Sequence, residues 1–419
     1  MYRCNQPYFS MLALFIGLLF PFEVMAQSVD LTDSYYLGYR SFENYTPTRI
    51  GSLKAGGSVS SAIGYDDNVF DLNQNREGGH FFKTNIYAWL NSDWKKNALK
   101  LSAYGSKYQY PGHSGANEYY ANVFGYGRLD LPANSQFELV TKLIYYEDDR
   151  GSGAFLNNPA TTPGDKFVDT KAFFTKGFGD IAITGRAGVR YGRHENVHNN
   201  AGVSLNRHDK DYLLYDLRLR SSLNIDDKTN IYIEGGYNRW NFSDKIDRNG
   251  TKRGSHGFHV AAGLLFNPIK TLNGEIALGY RSQSFPDSSF GTLNTMTVDA
   301  WATWAVTNKA NLTVTADTWL EEDTIFGEAG ELSRSVNLQA DYRVHKRLRV
   351  LAIGYYLLED KLSTSINDNT LIGTLGVDYE IQPGLVLTSR FQRKKFFSGR
   401  SSGFDYNINK VWIGLRVSK

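Results

Sequence analysis

The residues with most chemical potential in this sequence are a serine within Gly399-Arg-Ser-Ser-Gly403, scattered histidines, and two acidic runs. The Gly-x-Ser-x-Gly spelling is that of a nucleophile elbow, which needs a sharp strand-to-helix turn to expose its hydroxyl. No helical periodicity follows Gly403, so the segment reads as a flexible loop. His194, His198 and His208 fall in or beside one expected loop, and His256 and His259 open an expected strand. His-x₃-His and His-x₂-His pairs without a third ligand do not make a zinc site. Asp66-Asp67-Asn68 and Glu147-Asp148-Asp149 stand at expected outer strand ends, where oxygen clusters can hold Ca²⁺. Solvated loop charge is the simpler reading of both. There is no P-loop, and the single cysteine, Cys4, lies in a segment expected to be removed. No enzyme, metal or cofactor is expected.

The remaining polar chemistry is embedded in segments that alternate apolar and polar side chains. In the seventh such segment Ile181, Ile183, Ala187 and Val189 share one face, and Thr184, Arg186 and Arg190 the other. In the eighth, Leu213, Tyr215, Leu217 and Leu219 oppose Asp216, Arg218 and Arg220. The ninth adds Tyr232, Glu234, Asn238 and Trp240 to the polar face. Later segments add Glu275, Arg281, Asp299, Trp301, Asp317, Trp319, Asp341, Arg343, Arg349, Arg390, Lys394 and Arg416. Arg186, Arg190, Arg218 and Arg220 come from adjacent segments. They are expected to form a basic patch, tempered by Asp216 and Glu234, that gives an acidic polymer a shallow track. Opposite charges that pair to stiffen a wall are the blander reading of the same residues.

Alternation of period 2 over 9 to 14 residues means strands with one greasy and one wet face. No helical pattern offers to cover the greasy face, so its partner is lipid. In lipid a sheet must close, because unpaired edge groups cost several kcal/mol each. The reading is an all-β, transmembrane antiparallel barrel of about 18 strands. Short turns such as Pro132-Ala-Asn134, Gly179-Asp180 and His345-Lys346 alternate with long polar loops such as 66–79 and 195–210. Short periplasmic turns and long extracellular loops are the pattern of bacterial outer-membrane barrels. A charge facing mid-bilayer lipid costs ~2–4 kcal/mol for Arg or Lys, which assigns the polar face to the lumen. Eighteen strands leave room for an aqueous channel.

Residues 1–26 read as a secretory signal peptide: Arg3, an apolar run from Met11 to Phe20, then Val24-Met25-Ala26. Residues 27–52 form a short periplasmic lead-in, and 53–419 the barrel. The 46 basic and 43 acidic residues give a net charge of +3, which does not suggest nucleic acid. With 27 Tyr and 25 Phe, the composition suits interfacial aromatic girdles around a hydrated lumen.

The first strand and its exit, Gly56-Gly-Ser-Val-Ser-Ser-Ala-Ile-Gly-Tyr-Asp-Asp-Asn-Val-Phe70, carry a family resemblance. They resemble the outer-membrane barrels encoded with exopolysaccharide biosynthesis genes, the EpsL-like and VpsM-like proteins grouped as β-barrel porin 2. Tyr145-Tyr-Glu-Asp-Asp-Arg150 is similar in kind. The resemblance implies export of a polysaccharide through the outer membrane of a Gram-negative bacterium, amid its lipids and lipopolysaccharide. It also implies a periplasmic export or co-polymerase protein as feeder. A general or solute-selective nutrient porin is the alternative. The ending Trp412-Ile-Gly-Leu-Arg-Val-Ser-Lys419 departs from the terminal Phe or Trp common in such barrels. Val411, Ile413, Leu415 and Val417 still alternate.

Overall fold

The computed structural model describes residues 47–147, 164–198, 204–247, 250–321, 330–362, 364, 366–399 and 404–419. The expected signal peptide lies outside these residues, as does most of the lead-in. Eighteen long strands form one antiparallel sheet: β1 Leu53–Asp66, β2 Gly79–Ser92, β3 Ala98–Gln109, β4 Glu118–Leu131, β5 Ser135–Glu147 and β6 Gly164–Phe178. They continue as β7 Ile181–His194, β8 Tyr212–Asp226, β9 Thr229–Phe242, β10 Ser255–Ile269, β11 Leu272–Ser284 and β12 Thr292–Ala305. The last six are β13 Ala310–Glu321, β14 Glu331–His345, β15 Leu348–Lys361, β16 Asn367–Gln382, β17 Leu385–Phe397 and β18 Tyr406–Ser418.

Each strand pairs with the next, and β1 pairs with both β2 and β18, so the sheet closes; the β12–β13 ladder covers only Ala300–Ala305 against Asn311–Ala316. The closing ladder runs from Ser58 opposite Ser418 to Asp66 opposite Lys410. Backbone bonds between Gly57 and Lys419 extend it, at 2.7 and 2.9 Å. Below Gly57, β1 projects past β18, and Thr48–Ile50 folds back to pair with Leu53–Ala55. That hairpin is the described end of the expected lead-in.

The outward face is apolar along the middle of the wall. Val123, Leu143, Leu217, Leu219, Ile233, Leu278, Leu375 and Ile413 are all exposed there. Toward the ends the exposed residues turn aromatic: Trp304, Tyr342 and Tyr379 near one rim, Tyr65, Tyr191, Tyr237 and Tyr356 near the other. An apolar band between two aromatic girdles is the lipid-facing surface of an outer-membrane barrel. The outward Val411, Ile413, Leu415 and Val417 show that β18 keeps its lipid face to the end.

The short connections, between β2 and β3 and at every second junction after it, all lie at one end. Positive φ at Ala133 and Asn134, 56° and 55°, reverses the chain between β4 and β5. Gly179 does so between β6 and β7 with φ 64°. The long loops share the other end.

Candidate functional site

The lumen wall is built by the residues at inward positions, and cross-strand register places neighbours beside each other. On β6 to β11 these residues form a lattice of ion pairs. Asp216 accepts from Arg186 Nε at 3.1 Å and lies 3.2 Å from Arg218 Nε. Glu234 is shared by Arg218 Nη1 at 3.0 Å and Arg220 Nε at 2.9 Å. Arg220 also reaches Glu275 at 3.3 Å, and its guanidinium lies over the Tyr232 ring, 3.8 Å from the centroid. The Tyr232 hydroxyl donates to Glu275. Arg190 bonds Asp169 at 2.9 Å, with Lys171 3.6 Å from the same carboxylate.

Small inward residues make this packing possible. Arg218 crosses Gly236, where a Cβ would stand 2.8 Å from the arginine Cγ. The Tyr232 ring lies against Gly263 in the same way.

The basic patch expected from Arg186, Arg190, Arg218 and Arg220 is therefore not a patch of excess charge. Four guanidinium groups face Asp169, Asp216, Glu234 and Glu275, so each of these arginines has a carboxylate partner. Parity along one strand reveals the arginines, but only register across strands reveals their carboxylate partners.

Outward of this lattice, toward the long loops, inward aromatics form a ladder across five consecutive strands. Tyr146 of β5 stacks on Phe167 of β6, with centroids 5.4 Å apart and planes at 15°. Phe167 meets His194 of β7 edge-on at 6.0 Å. His194 lies 6.2 Å from Tyr212 of β8, which meets Trp240 of β9 at 4.7 Å. Phe242 stacks beyond Trp240 and is capped by the Arg253 guanidinium at 4.1 Å. Gly192 leaves room for Tyr212, since a Cβ there would stand 2.6 Å from the ring. Of these residues, sequence reading singled out only Trp240 for the lumen wall.

Above the ladder, the described residues 204–211 of the β7–β8 connection are fixed to the wall. Arg207 forks onto Asp165 of β6 at 3.1 and 3.2 Å, and Asp211 accepts the His194 backbone N–H at 2.7 Å. Arg207, Asp209 and Lys210 are buried there.

The other expected lumen residues also occupy inward positions. Arg281 stands opposite His259, Trp301 opposite Glu275, Asp317 opposite Ser335, and Trp319 opposite Ser333. Arg343 pairs in register with Arg349 near the short-turn end. Arg390 donates to Asp378 at 2.6 Å, and Arg416 lies 3.7 Å from the same carboxylate. Arg390, Asp378 and Arg416 lie on β16 to β18, apart in strand order from the β6–β11 lattice. The wall is less polar than expected on β15, where Leu351, Ile353, Tyr355 and Leu357 point inward and pack with Trp319 and Ile372.

Among the described residues the candidate metal ligands are not brought together. His256 is exposed and His259 buried, on opposite faces of β10, so they cannot share an ion. Asp66-Asp67-Asn68 is not solvated loop charge. Asp66 and Asn68 are buried, and Asp66 accepts from Tyr110 Oη at 3.0 Å and pairs with Lys410 at 3.1 Å. Glu147 accepts the Tyr119 backbone N–H at 3.1 Å. Asp148 and Asp149 lie outside the described residues, as do 400–403 of the Gly-x-Ser-x-Gly segment.

A family model described as "Putative beta-barrel porin 2" matches residues 45–419. The chain belongs to this family. This porin-2 barrel is a channel-type protein of the Gram-negative outer membrane. No curated protein matches it. Among solved structures it is similar to the copper transporter OprC, at 8% identity and a TM-score of 0.47, covering 89% of this chain and 81% of that one. It is also similar to the outer-membrane protein OpdK from Pseudomonas aeruginosa, at 12% identity and TM-score 0.43, covering 87% and 99%. For the FrpB iron transporter from Neisseria meningitidis the values are 9% and 0.43, covering 82% of this chain and 62% of that one. These likenesses are too distant to bear on what passes through the barrel.

Proposed function

We propose that this barrel is the outer-membrane conduit through which a newly made exopolysaccharide leaves the cell. It acts passively and is fed by a periplasmic export or co-polymerase protein. The observation that carries the reading is the aromatic ladder Tyr146–Phe167–Tyr212–Trp240 lying directly outward of a paired charge lattice. Sugars present apolar CH faces that rest on aromatic rings, and hydroxyls that exchange among carboxylates, amides and guanidinium groups. A moving polymer has to be held weakly at many points. Paired charges suit this, because each offers hydrogen bonds without a deep electrostatic well. The resemblance of Gly56–Phe70 to the exopolysaccharide-linked barrels favours the same direction of transport.

The test is deletion of the gene, followed by weighing of cell-associated and secreted polysaccharide. The export reading expects polymer to accumulate with the cells and to return to the medium on complementation. Unchanged secretion, with loss of growth on a particular small solute, would instead establish a nutrient porin.

A further inference from the structure

Five of the eight turns on the short-turn rim of the barrel carry exposed lysines. Lys95 and Lys96 lie between β2 and β3, Lys228 between β8 and β9, Lys270 between β10 and β11, Lys309 between β12 and β13, and Lys346 between β14 and β15. All six are exposed, and among the described residues none makes an ion pair. Against these six lysines, the exposed acids among the described residues of this rim are four, Asp93, Asp180, Asp226 and Asp227. Asp93 is already taken by Arg49 at 2.8 Å and Lys54 at 2.9 Å, and Asp226 accepts the Lys228 backbone N–H at 2.8 Å. Among the described residues of the opposite end, exposed charges of both signs stand together, Glu77 beside Arg76 and Asp244 beside Lys245.

We propose that this rim is a capture site for a polyanion, so that the exported polymer is an acidic polysaccharide gathered at the periplasmic mouth. The identity of the natural polymer rests on the export reading; the rim's affinity for polyanions does not. Like charge around a pore raises the local concentration of oppositely charged chains over a screening length. The paired lattice beyond it then lets the captured chain slide without being trapped. Selection by charge thus belongs to the turns, and passage to the wall. Turn lysines that anchor anionic lipid headgroups are the competing occupant.

The experiment uses the full chain in planar bilayers of phosphatidylcholine alone, with orientation read from a protease-cleavable tag between Ser288 and Ser289. Polygalacturonate or neutral dextran of matched length is added to either side. Polygalacturonate is expected to block current from the short-turn side at a concentration about tenfold lower than from the other. That difference is expected to disappear at high salt and in the variant K95Q/K96Q/K228Q/K270Q/K309Q/K346Q. Dextran is expected to show no difference between variant and parent, which also establishes that the variant pore is intact. Equal block from both sides, or an unchanged variant, overturns the proposal. So does loss of the block when phosphatidylglycerol is added, which gives the rim to lipid. The export reading would survive any of these results with a neutral polymer as cargo.

Discussion

Asp67 and Asn409 fasten the first barrel strand to the last. The Asp67 carboxylate accepts the Asn409 backbone N–H at 2.7 Å and its side-chain amide at 2.6 Å. Asn68 adds a bond from its amide to the Asn407 carbonyl at 3.1 Å. The segment Gly64–Phe70, which carries most of the family resemblance, is therefore a clasp on the seam where the barrel closes. Hydrogen bonds to a charged group contribute about 1.5–3 kcal/mol each. Asp67→Ala is expected to lower the temperature at which the folded band converts to the unfolded band on a gel. Asn409→Ala should lower it by a smaller amount, since its backbone bond to Asp67 survives. A clasp variant as heat-resistant as the parent would mean that the backbone ladder alone holds the seam.

The charge lattice makes a prediction about selectivity. Replacing Arg186 and Arg218 by Gln leaves Asp216 without its two guanidinium neighbours and takes one of two from Glu234. The wall then gains net negative charge, and zero-current potentials in a KCl gradient should move toward cation preference. Adding Asp216→Asn and Glu234→Gln should restore the parent value. A variant pair that leaves ion preference unchanged would place these residues away from the conducting path.

The aromatic ladder predicts where a sugar is felt. Trp240 touches Tyr212 and Phe242, so Trp240→Ala removes the ladder's largest ring and leaves its neighbours in place. Each such ring contact contributes about 0.5–1.5 kcal/mol, roughly a two- to tenfold change in affinity. Block of the pore by an oligosaccharide should weaken by that factor, while conductance in plain salt stays the same or rises. Equal block in both proteins would make the ladder a packing feature of the wall.

Orientation is checked by labelling. A tag between Ser288 and Ser289, in the loop between β11 and β12, is expected to react on intact cells. A tag between Ala133 and Asn134 should stay hidden until the outer membrane is permeabilised. The reverse pattern would put the lysine-bearing turns outside.

Much of this barrel is legible in the sequence because lipid enforces strict alternation. The alternation in the seventh segment, Ile181, Ile183, Ala187 and Val189 against Thr184, Arg186 and Arg190, matches the two faces of β7. β6 begins earlier than its pattern suggests, at Gly164 instead of 167, because outer strand ends rise beyond the bilayer, where alternation is not enforced. The ladder was not legible, since Tyr146, Phe167 and Tyr212 meet only once the stagger between neighbouring strands is fixed. The same holds for Asp169 beside Arg190, which lie on different strands at matched register. β15 is less legible for another reason: Val350, Ala352 and Tyr356 face out while Leu351, Ile353 and Leu357 face in, so both faces are apolar and period 2 is weak.

Export requires that a polysaccharide chain pass through this pore. Proteoliposomes loaded with the fluorescently labelled native polymer test it most directly. Polymer is expected to escape from vesicles containing the wild-type barrel and to remain in protein-free vesicles. Retention of the polymer, while small sugars leak freely through the same protein, would contradict export and leave a nutrient porin.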